Sequence, residues 1–163
     1  MKSLIVCVSV SNGNTRKVAQ ALADVLDATV VDPEEVEVAT IGGYDVVGFG
    51  SGIYGMSFHR RLRELVRRLP STKGRRAFVF ATSGSPEPPV WRYMQGMRRL
   101  LESRGYSVAG TFLCRGFDTW LPLRLIGGIN KGRPDERDLE RARAFARGLL
   151  ALHEAGNGPT DES

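Results

Sequence analysis

The chain has 163 residues, 42% of them hydrophobic and 25% charged, which is typical of one globular domain and excludes a disordered chain. No apolar run is long enough to span a bilayer. Met1 and Lys2 lead directly into an apolar strand pattern, so we expect a cytoplasmic protein without a secretory leader. The two cysteines, Cys7 and Cys114, are far apart and lack metal-ligand spacing. The formal net charge of +5 favours a solvated arginine-rich surface over a nucleic-acid site.

Apolar runs and helical repeats alternate along the chain. The predicted strands, which are apolar runs bounded by turn residues, are 3–8, 28–31, 44–50, 75–81 and 106–114. The predicted helices, whose apolar residues recur at helical spacing, are 16–26, 58–69, 90–104 and 134–153. Segment 34–40 fits a short helix or a loop, and 115–133 is irregular. The tail 154–163 is rich in Gly, Pro and acidic residues, and we expect it to be disordered.

The order of these elements predicts one domain over residues 1–153. Strands and helices that alternate in this way form a parallel sheet covered by helices on both faces, with right-handed crossovers. We expect a doubly wound, three-layer α/β sandwich whose five predicted strands have the order 2-1-3-4-5. In such sheets a ligand binds beyond the carboxyl ends of the strands, where the strand order reverses.

The first candidate site is the turn between the first strand and the first helix, residues 9–15, which reads Ser-Val-Ser-Asn-Gly-Asn-Thr. A strand-to-helix turn exposes unpaired backbone N–H groups and the positive end of a helix dipole, and both attract anions. The hydroxyls of Ser9, Ser11 and Thr15 add donors. An N-capped turn that binds nothing uses the same residue types, so this turn alone leaves both interpretations open.

Two further turns rich in glycine and serine follow later strands. Residues 51–55, Ser-Gly-Ile-Tyr-Gly, follow the third strand, and residues 82–85, Thr-Ser-Gly-Ser, follow the fourth. Because the first, third and fourth strands are neighbours in the predicted order, the three turns meet at one edge of the sheet. Glycines let the backbone approach a ligand closely. Together the turns predict a pocket for a flat, phosphorylated ligand.

These motifs resemble those of the flavodoxin family. The residues that carry the resemblance are Gly13-Asn14-Thr15 followed by Ala19, the run 50–55, and Thr82-Ser83-Gly84. The runs 114–120 and 127–134 are similar to one branch of that family. The resemblance covers nearly the whole chain, leaves out only the tail, and implies a flavodoxin-like fold.

The resemblance also implies non-covalent binding of FMN. By position, the residues that would hold the FMN phosphate are Ser9, Ser11, Asn12, Gly13, Asn14 and Thr15. The residues that would lie along the flavin ring are Ser51, Gly52, Ile53, Tyr54 and Gly55, with the Tyr54 ring stacked on it. The residues that would flank the ring or the ribityl chain are Thr82, Ser83, Gly84 and Ser85.

Several side chains outside these turns have two interpretations each. We include Phe117, as a cover for the flavin or a core residue, and Asp118, as a ring contact or an Asx turn, among the cofactor residues. Trp91 either forms a second wall of the ring site or packs the start of a helix. Trp120 is interpreted as a packing residue, and His59 as a solvated surface histidine in preference to a flavin donor.

The chain departs from the family pattern in two respects. Val10 stands where the phosphate loop of the family has Ser or Thr, although Ser9 and Ser11 lie beside it. Electron carriers of the family are acidic, whereas this chain is basic and has Arg115 close to the predicted site. A basic carrier implies acidic redox partners, and a cation near the flavin favours the anionic reduced form.

The predicted function is that of an FMN-binding electron-transfer protein that carries electrons between redox partners. The alternative is an FMN-dependent oxidoreductase that acts on a small substrate such as a quinone or porphyrinogen, with 115–133 as part of the substrate pocket. A cofactor-free interaction domain is a third hypothesis, which only Val10 favours. A signalling receiver domain is excluded, because Ser9 and Gly50 stand where it needs acidic residues. We predict no metal site, catalytic residue or nucleic-acid partner, and the oligomeric state is left open.

Overall fold

A computed structural model describes residues 1–10, 13–54, 57–84, 89–115 and 132–157, with the backbone alone for 89–91. Its strands are β1 (Ser3–Val8), β2 (Ala28–Val31), β3 (Val46–Tyr54), β4 (Ser57–Phe58), β5 (Arg75–Ser83) and β6 (Tyr106–Arg115). Its helices are α1 (Asn14–Leu26), α2 (Val38–Ile41), α3 (Arg60–Arg68), α4 (Pro89–Ser103) and α5 (Glu136–Gly156). None of the described helices is long and apolar enough to cross a membrane.

The sheet has the predicted parallel order. Its main path runs β2-β1-β3-β5-β6, and every neighbouring pair along this path is parallel. The short strand β4 lies off the path and pairs antiparallel with the end of β3. When β4 is set aside, the order is the expected 2-1-3-4-5.

A hydrophobic layer covers each face of the sheet. On one face α1 and α5 pack against the strands, and Leu22 and Ala146 are fully buried there. On the other face α3 and α4 pack against the strands, and Leu62 and Leu101 are fully buried. Because β1 is enclosed by both layers, all six of its residues are buried, as its unbroken apolar run predicts. The three-layer sandwich is therefore confirmed.

A stripe of glycines runs along β3 on the face covered by α1 and α5. Gly48 and Gly50 stand opposite Phe78 and Phe80 of β5 in the strand register. The two phenylalanine rings cross the space that side chains on β3 would occupy. A Cβ on Gly48 would lie 2.3 Å from Cζ of Phe78, and a Cβ on Gly50 would lie 2.1 Å from Cζ of Phe80. Glycine at these two positions is therefore a packing requirement of the core.

The strands extend further toward the carboxyl edge of the sheet than the sequence predicts. Residues 51–54, predicted as part of a turn, continue β3. Ser51 pairs on both sides, opposite Val8 of β1 and Ala81 of β5. Ile53 and Tyr54 pair with β4 instead. β5 likewise extends to Ser83.

The helix boundaries also differ from the predictions. Phe58 was predicted to open a helix, but it belongs to β4, and α3 begins at Arg60. Segment 34–40 combines the two interpretations, because its first four residues are non-helical and the short helix α2 begins at Val38. α5 continues to Gly156, past the predicted end at residue 153, and residues 158–163 of the predicted tail lie outside the described residues.

Candidate functional site

Three chain segments meet at the carboxyl edge of the sheet. β1 and β3 end side by side, with Val8 opposite Ser51, and β3 and β5 do so with Gly52 opposite Thr82. The first turn of α1 joins them, because Oγ1 of Thr15 lies 2.7 Å from Oγ1 of Thr82. The strand order reverses between β1 and β3. This edge is therefore the place where doubly wound sheets bind ligands.

The described part of the turn after β1 is organised around Gly13 and Ser9. Gly13 precedes α1 with a φ of +65°, a left-handed conformation that glycine adopts without strain. No atom of the described residues lies within 4 Å of the Cβ that Gly13 lacks. Glycine gives the first helical turn no side-chain cap, although Oγ of Ser9 accepts the N–H of Arg16 at 3.3 Å.

Thr15 and Thr82 form a buried pair of hydroxyls beside this turn. The two residues are only 2% and 5% exposed. Each hydroxyl carries one proton, and the bond between them uses one of the two protons. No acceptor among the described residues takes the other proton, which a phosphate oxygen could accept. With the buried Asn14 in the same turn, this donor set fits a phosphorylated cofactor such as FMN.

The end of β3 forms a hairpin with β4, and the Ser51 side chain fixes it. The buried Oγ of Ser51 accepts the backbone N–H of His59 at 3.0 Å and donates to the carbonyl oxygen of Gly52 at 2.7 Å. The hydroxyl of Ser51 is thus engaged in positioning the hairpin. The contact between Ser51 and a cofactor that the family resemblance implies stays a prediction.

Tyr54 presents its ring at the tip of this hairpin. The residue is 37% exposed, and a Cβ on Gly52 would lie 2.7 Å from the Tyr54 hydroxyl oxygen, so the tyrosine ring covers this glycine. On its other side the ring meets that of His59 edge-on, with 5.5 Å between ring centroids. An exposed aromatic ring held in this way is a surface for stacking. The neighbouring Ile53 is half-buried.

His59 is held by contacts on several sides, although the sequence favoured a solvated surface residue. The residue is half-buried. Its Nδ1 accepts the backbone N–H of Arg61 at 3.2 Å and so caps α3. Burial, reinforced by the positive charge of Arg61, lowers the pKa of His59 below its ordinary value of 6.5, while Asp32 acts in the opposite direction. The neutral ring is therefore the form that supports Tyr54 and the start of α3.

Acidification is expected to destabilise the protein through His59. Because the folded protein binds a proton at His59 less readily than the unfolded chain does, the free energy of unfolding should fall as the pH drops through 6.5 toward the lower folded pKa. Above pH 6.5 this contribution is constant. Urea unfolding at about pH 8 and about pH 5 measures the loss.

The control is His59→Asn, which keeps a capping oxygen but does not titrate in this range. This variant should lose less stability between the two pH values than the native chain. Equal losses in the native chain and in His59→Asn would remove His59 as the cause.

The third segment of the site is the end of β5. Thr82 and Ser83, predicted as turn residues, are buried strand residues, and Gly84 follows them half-buried. On the neighbouring strand, Arg115 stands opposite Ser83 and is exposed. The predicted site residues that lie outside the described residues are Ser11, Asn12, Gly55, Ser85, Phe117 and Asp118. Trp120 and the side chain of Trp91 lie outside them as well.

The two thiols take no part in this edge as nucleophiles. Cys7 and Cys114 are 1% and 2% exposed. Burial raises the pKa of the Cys7 thiol to about 12, and burial does the same to Cys114. Among the described residues, no group of His, Cys, Asp or Glu side chains could hold a metal ion.

His59 is the side chain at this edge that the predicted site omits. Its position follows from the β3–β4 hairpin, which turns the chain back so that residue 59 lies beside Tyr54. The sequence signal for this hairpin is the glycine at position 55, a residue type that marks turns.

The fold defines a class of protein: doubly wound α/β proteins, in which ligands bind at the switch point of the sheet. Within that class, the chain belongs to the flavodoxin family, because the model of the flavodoxin domain matches residues 5–116. The resemblance seen in the sequence is thereby confirmed.

Known proteins similar to this chain include one with substantial sequence identity. An uncharacterized protein of Methanocaldococcus jannaschii is 35% identical over 150 residues, which cover 92% of this chain and 99% of that protein. Flavodoxin 2 from Bacillus cereus has a TM-score of 0.72 at 18% identity, covering 93% of this chain and 99% of its own. General stress protein 14 from Treponema denticola, solved in complex with FMN, has a TM-score of 0.59 at 15% identity, covering 95% and 99%. The two solved structures establish the flavodoxin-like fold.

Proposed function

We propose that the chain binds FMN non-covalently at the carboxyl edge of the sheet and carries electrons between redox proteins. One observation carries this proposal: the glycine-led turn of α1, the Thr15–Thr82 hydroxyl pair and the exposed Tyr54 ring meet at one edge. Membership of the flavodoxin family supports the same cofactor, as does the FMN complex of a structural relative.

Each part of the edge has a separate task in this proposal. The turn at 9–15 holds the phosphate through backbone N–H groups and hydroxyls. Tyr54 stacks on the flavin ring, with the backbone of 51–55 beside it. Residues 82–85 flank the ring or the ribityl chain, and Phe117 and Asp118 complete the predicted contacts. When bound, FMN supplies one- and two-electron transfer, and the chain supplies binding, orientation and exclusion of water.

The described side chains at this edge bond to the backbone or to one another. The hydroxyls of Thr15 and Thr82 bond to each other, and that of Ser51 bonds to the backbone. Nδ1 of His59 accepts a backbone N–H. In this proposal these groups bind and orient the cofactor.

The first experiment is a titration of the purified chain with FMN. Shifted absorption bands and quenched flavin fluorescence should saturate at one FMN per chain. The loaded protein is then reduced and mixed with a small quinone in the absence of any partner protein. Binding without quinone turnover supports the carrier, and turnover supports the oxidoreductase. If neither FMN, FAD nor riboflavin binds, the proposal fails and the cofactor-free interaction domain takes its place.

Tyr54→Ala is expected to change both the spectrum and the reduction potential of bound FMN. Loss of the stacked ring, worth about 0.5–1.5 kcal/mol, should also weaken FMN binding roughly two- to tenfold. Tyr54→Phe keeps the ring and should retain the native spectrum. Visible spectra and a potentiometric titration of the three proteins test this, and identical results for native and alanine proteins would mean that Tyr54 does not touch the ring.

A further inference from the structure

The positive charge of the chain is concentrated in one of its two helical layers. α3 carries five arginines and one glutamate, and the sequence of α4 carries three arginines and one glutamate. In the opposite layer, α5 carries four basic and four acidic residues. The layer formed by α3 and α4 is therefore strongly basic, whereas α5 is balanced.

Some of these arginines are neutralised by neighbours. Arg60 pairs with Glu64 at 2.6 Å, and Arg98 pairs with Glu102 at 2.9 Å. Arg61 forms ion pairs with two carboxylates of the segment after β2, Asp32 at 3.2 Å and Glu34 at 3.3 Å. Such partly exposed pairs cancel charge locally and contribute little to stability.

Four exposed arginines of this layer have no such partner. No carboxylate of the described residues lies within 4.0 Å of them, and we call them the α3–α4 basic face: Arg67, Arg68, Arg92 and Arg99. The two helices lie side by side, because Leu62 and Leu101 share one core cluster and the Arg104 guanidinium donates to the carbonyl of Arg67. The four charges thus belong to one continuous surface.

One end of this surface borders the candidate site. α3 begins directly after His59, which contacts Tyr54, and α4 follows the carboxyl end of β5. Arg92 lies in the first turn of α4, and Arg99 lies on the same stripe, about two turns or ~10 Å further along the helix. The basic face therefore runs from the edge that would hold FMN down the side of the molecule.

We propose that the α3–α4 basic face docks an acidic redox protein, so that electrons enter or leave at the Tyr54 edge. This inference rests on the proposed function. Electrostatic complementarity between charged faces raises the association rate and orients the partners. Weak electron-transfer encounters use small interfaces, for which a charged face beside the cofactor edge is sufficient.

The character of the face favours a protein partner over a membrane or a nucleic acid. The exposed large hydrophobic residues of the described chain are Met1, Val10, Tyr54 and Leu152, and none of them lies in α3 or α4. Insertion into a lipid interface uses apolar side chains, and binding of single-stranded nucleic acid uses aromatic stacking platforms. The described side chains of the basic face carry positive charge, but they supply neither an apolar insertion surface nor an aromatic stacking platform.

The test measures electron transfer from a reduced acidic [2Fe–2S] ferredoxin to the FMN-loaded chain by stopped flow. NaCl is varied from about 0.01 M to about 1 M, over which the Debye length falls from about 30 Å to about 3 Å. The second-order rate constant should fall at least about tenfold over this range. The double variant Arg92→Glu/Arg99→Glu should lower the rate at low salt by at least about tenfold.

The matched control is Arg137→Glu/Arg141→Glu, which reverses two exposed charges on α5. This control should change the rate at low salt by less than about twofold, which is small beside the steering effect. A rate that salt does not change, or equal losses in the two double variants, would overturn the docking proposal. Thermal unfolding of both variants checks that they fold.

Direct binding measurements separate this proposal from the proposed function. If the chain binds no FMN, the proposed function has failed, and fluorescence anisotropy with labelled ferredoxin still tests docking with the same variants. Binding to phosphatidylglycerol vesicles or to a duplex oligonucleotide, lost in Arg92→Glu/Arg99→Glu and without any binding to ferredoxin, would assign the face to that partner and overturn the proposal.

Discussion

Gly50→Ala is expected to destabilise the protein by about 3 kcal/mol, the upper part of the usual range for overpacking a core. A Cβ at this position would lie 2.1 Å from Cζ of Phe80, far inside van der Waals contact. The Phe80 ring is fully buried, and its centroid lies 6.1 Å from that of the Phe78 ring, so it cannot move aside freely. Urea unfolding should show a lower midpoint at an unchanged m-value.

Two comparisons isolate the clash from the general effect of losing a glycine. Gly96→Ala, in α4, places a Cβ where no described atom lies within 4 Å, and it should stabilise the chain by about 0.5–1 kcal/mol. Phe80→Leu in the Gly50→Ala background shortens the opposing side chain and should recover part of the loss. If Gly50→Ala is as stable as the native chain, the close packing between β3 and β5 does not restrict position 50 to glycine.

Thr15→Val is expected to weaken FMN binding roughly ten- to a hundredfold. A hydrogen bond to a charged acceptor contributes about 1.5–3 kcal/mol, and each 1.4 kcal/mol is about tenfold in the dissociation constant. Thr15→Ser keeps the hydroxyl and should retain most of the native affinity. Fluorescence titration with FMN gives the dissociation constants, and an affinity equal to the native one in Thr15→Val would remove Thr15 from the site.

Thr82→Val extends this test to the partner hydroxyl, which lies 2.7 Å from that of Thr15. If Thr82 acts only by orienting Thr15, the double variant Thr15→Val/Thr82→Val should bind FMN no worse than Thr15→Val alone. If both hydroxyls contact the cofactor, the two losses should add. The double-mutant cycle distinguishes these roles, and riboflavin, which lacks the phosphate, should bind the native protein and Thr15→Val alike.

The sequence predicts the architecture because buried parallel strands have a strong signature. The apolar run that ends at Val8 is enclosed on both faces, and apolar and helical segments alternate along the chain. The part of the fold that the sequence does not predict is the end of β3. The run that ends at Tyr54 is rich in glycine and serine, which is typical of a turn. Its pairing with β1 and β5, and at its end with β4, overrides that preference, since strand propensity depends on the neighbours.

The site could be predicted as a meeting of turns but not as a set of contacts. The strand order places Thr15 and Thr82 at one edge, but only the register and the helix position bring their hydroxyls within 2.7 Å. The sequence alone favours a solvated His59. Its contact with Tyr54 is not visible in the sequence, because that contact depends on the β3–β4 hairpin. A two-residue strand is too short to leave a periodic pattern.

The two buried thiols are expected to take up no electrons when the protein is reduced. With a pKa of about 12, the thiols of Cys7 and Cys114 remain protonated near neutral pH, and thiolates are the species that oxidants attack. β3 and β5 separate their strands, a distance of roughly 14 Å at the usual strand spacing, which is beyond disulfide reach. Under the proposed function, a reductive titration with dithionite should therefore end at two electrons per bound FMN, the full capacity of the cofactor, with no equivalents taken up by cystine.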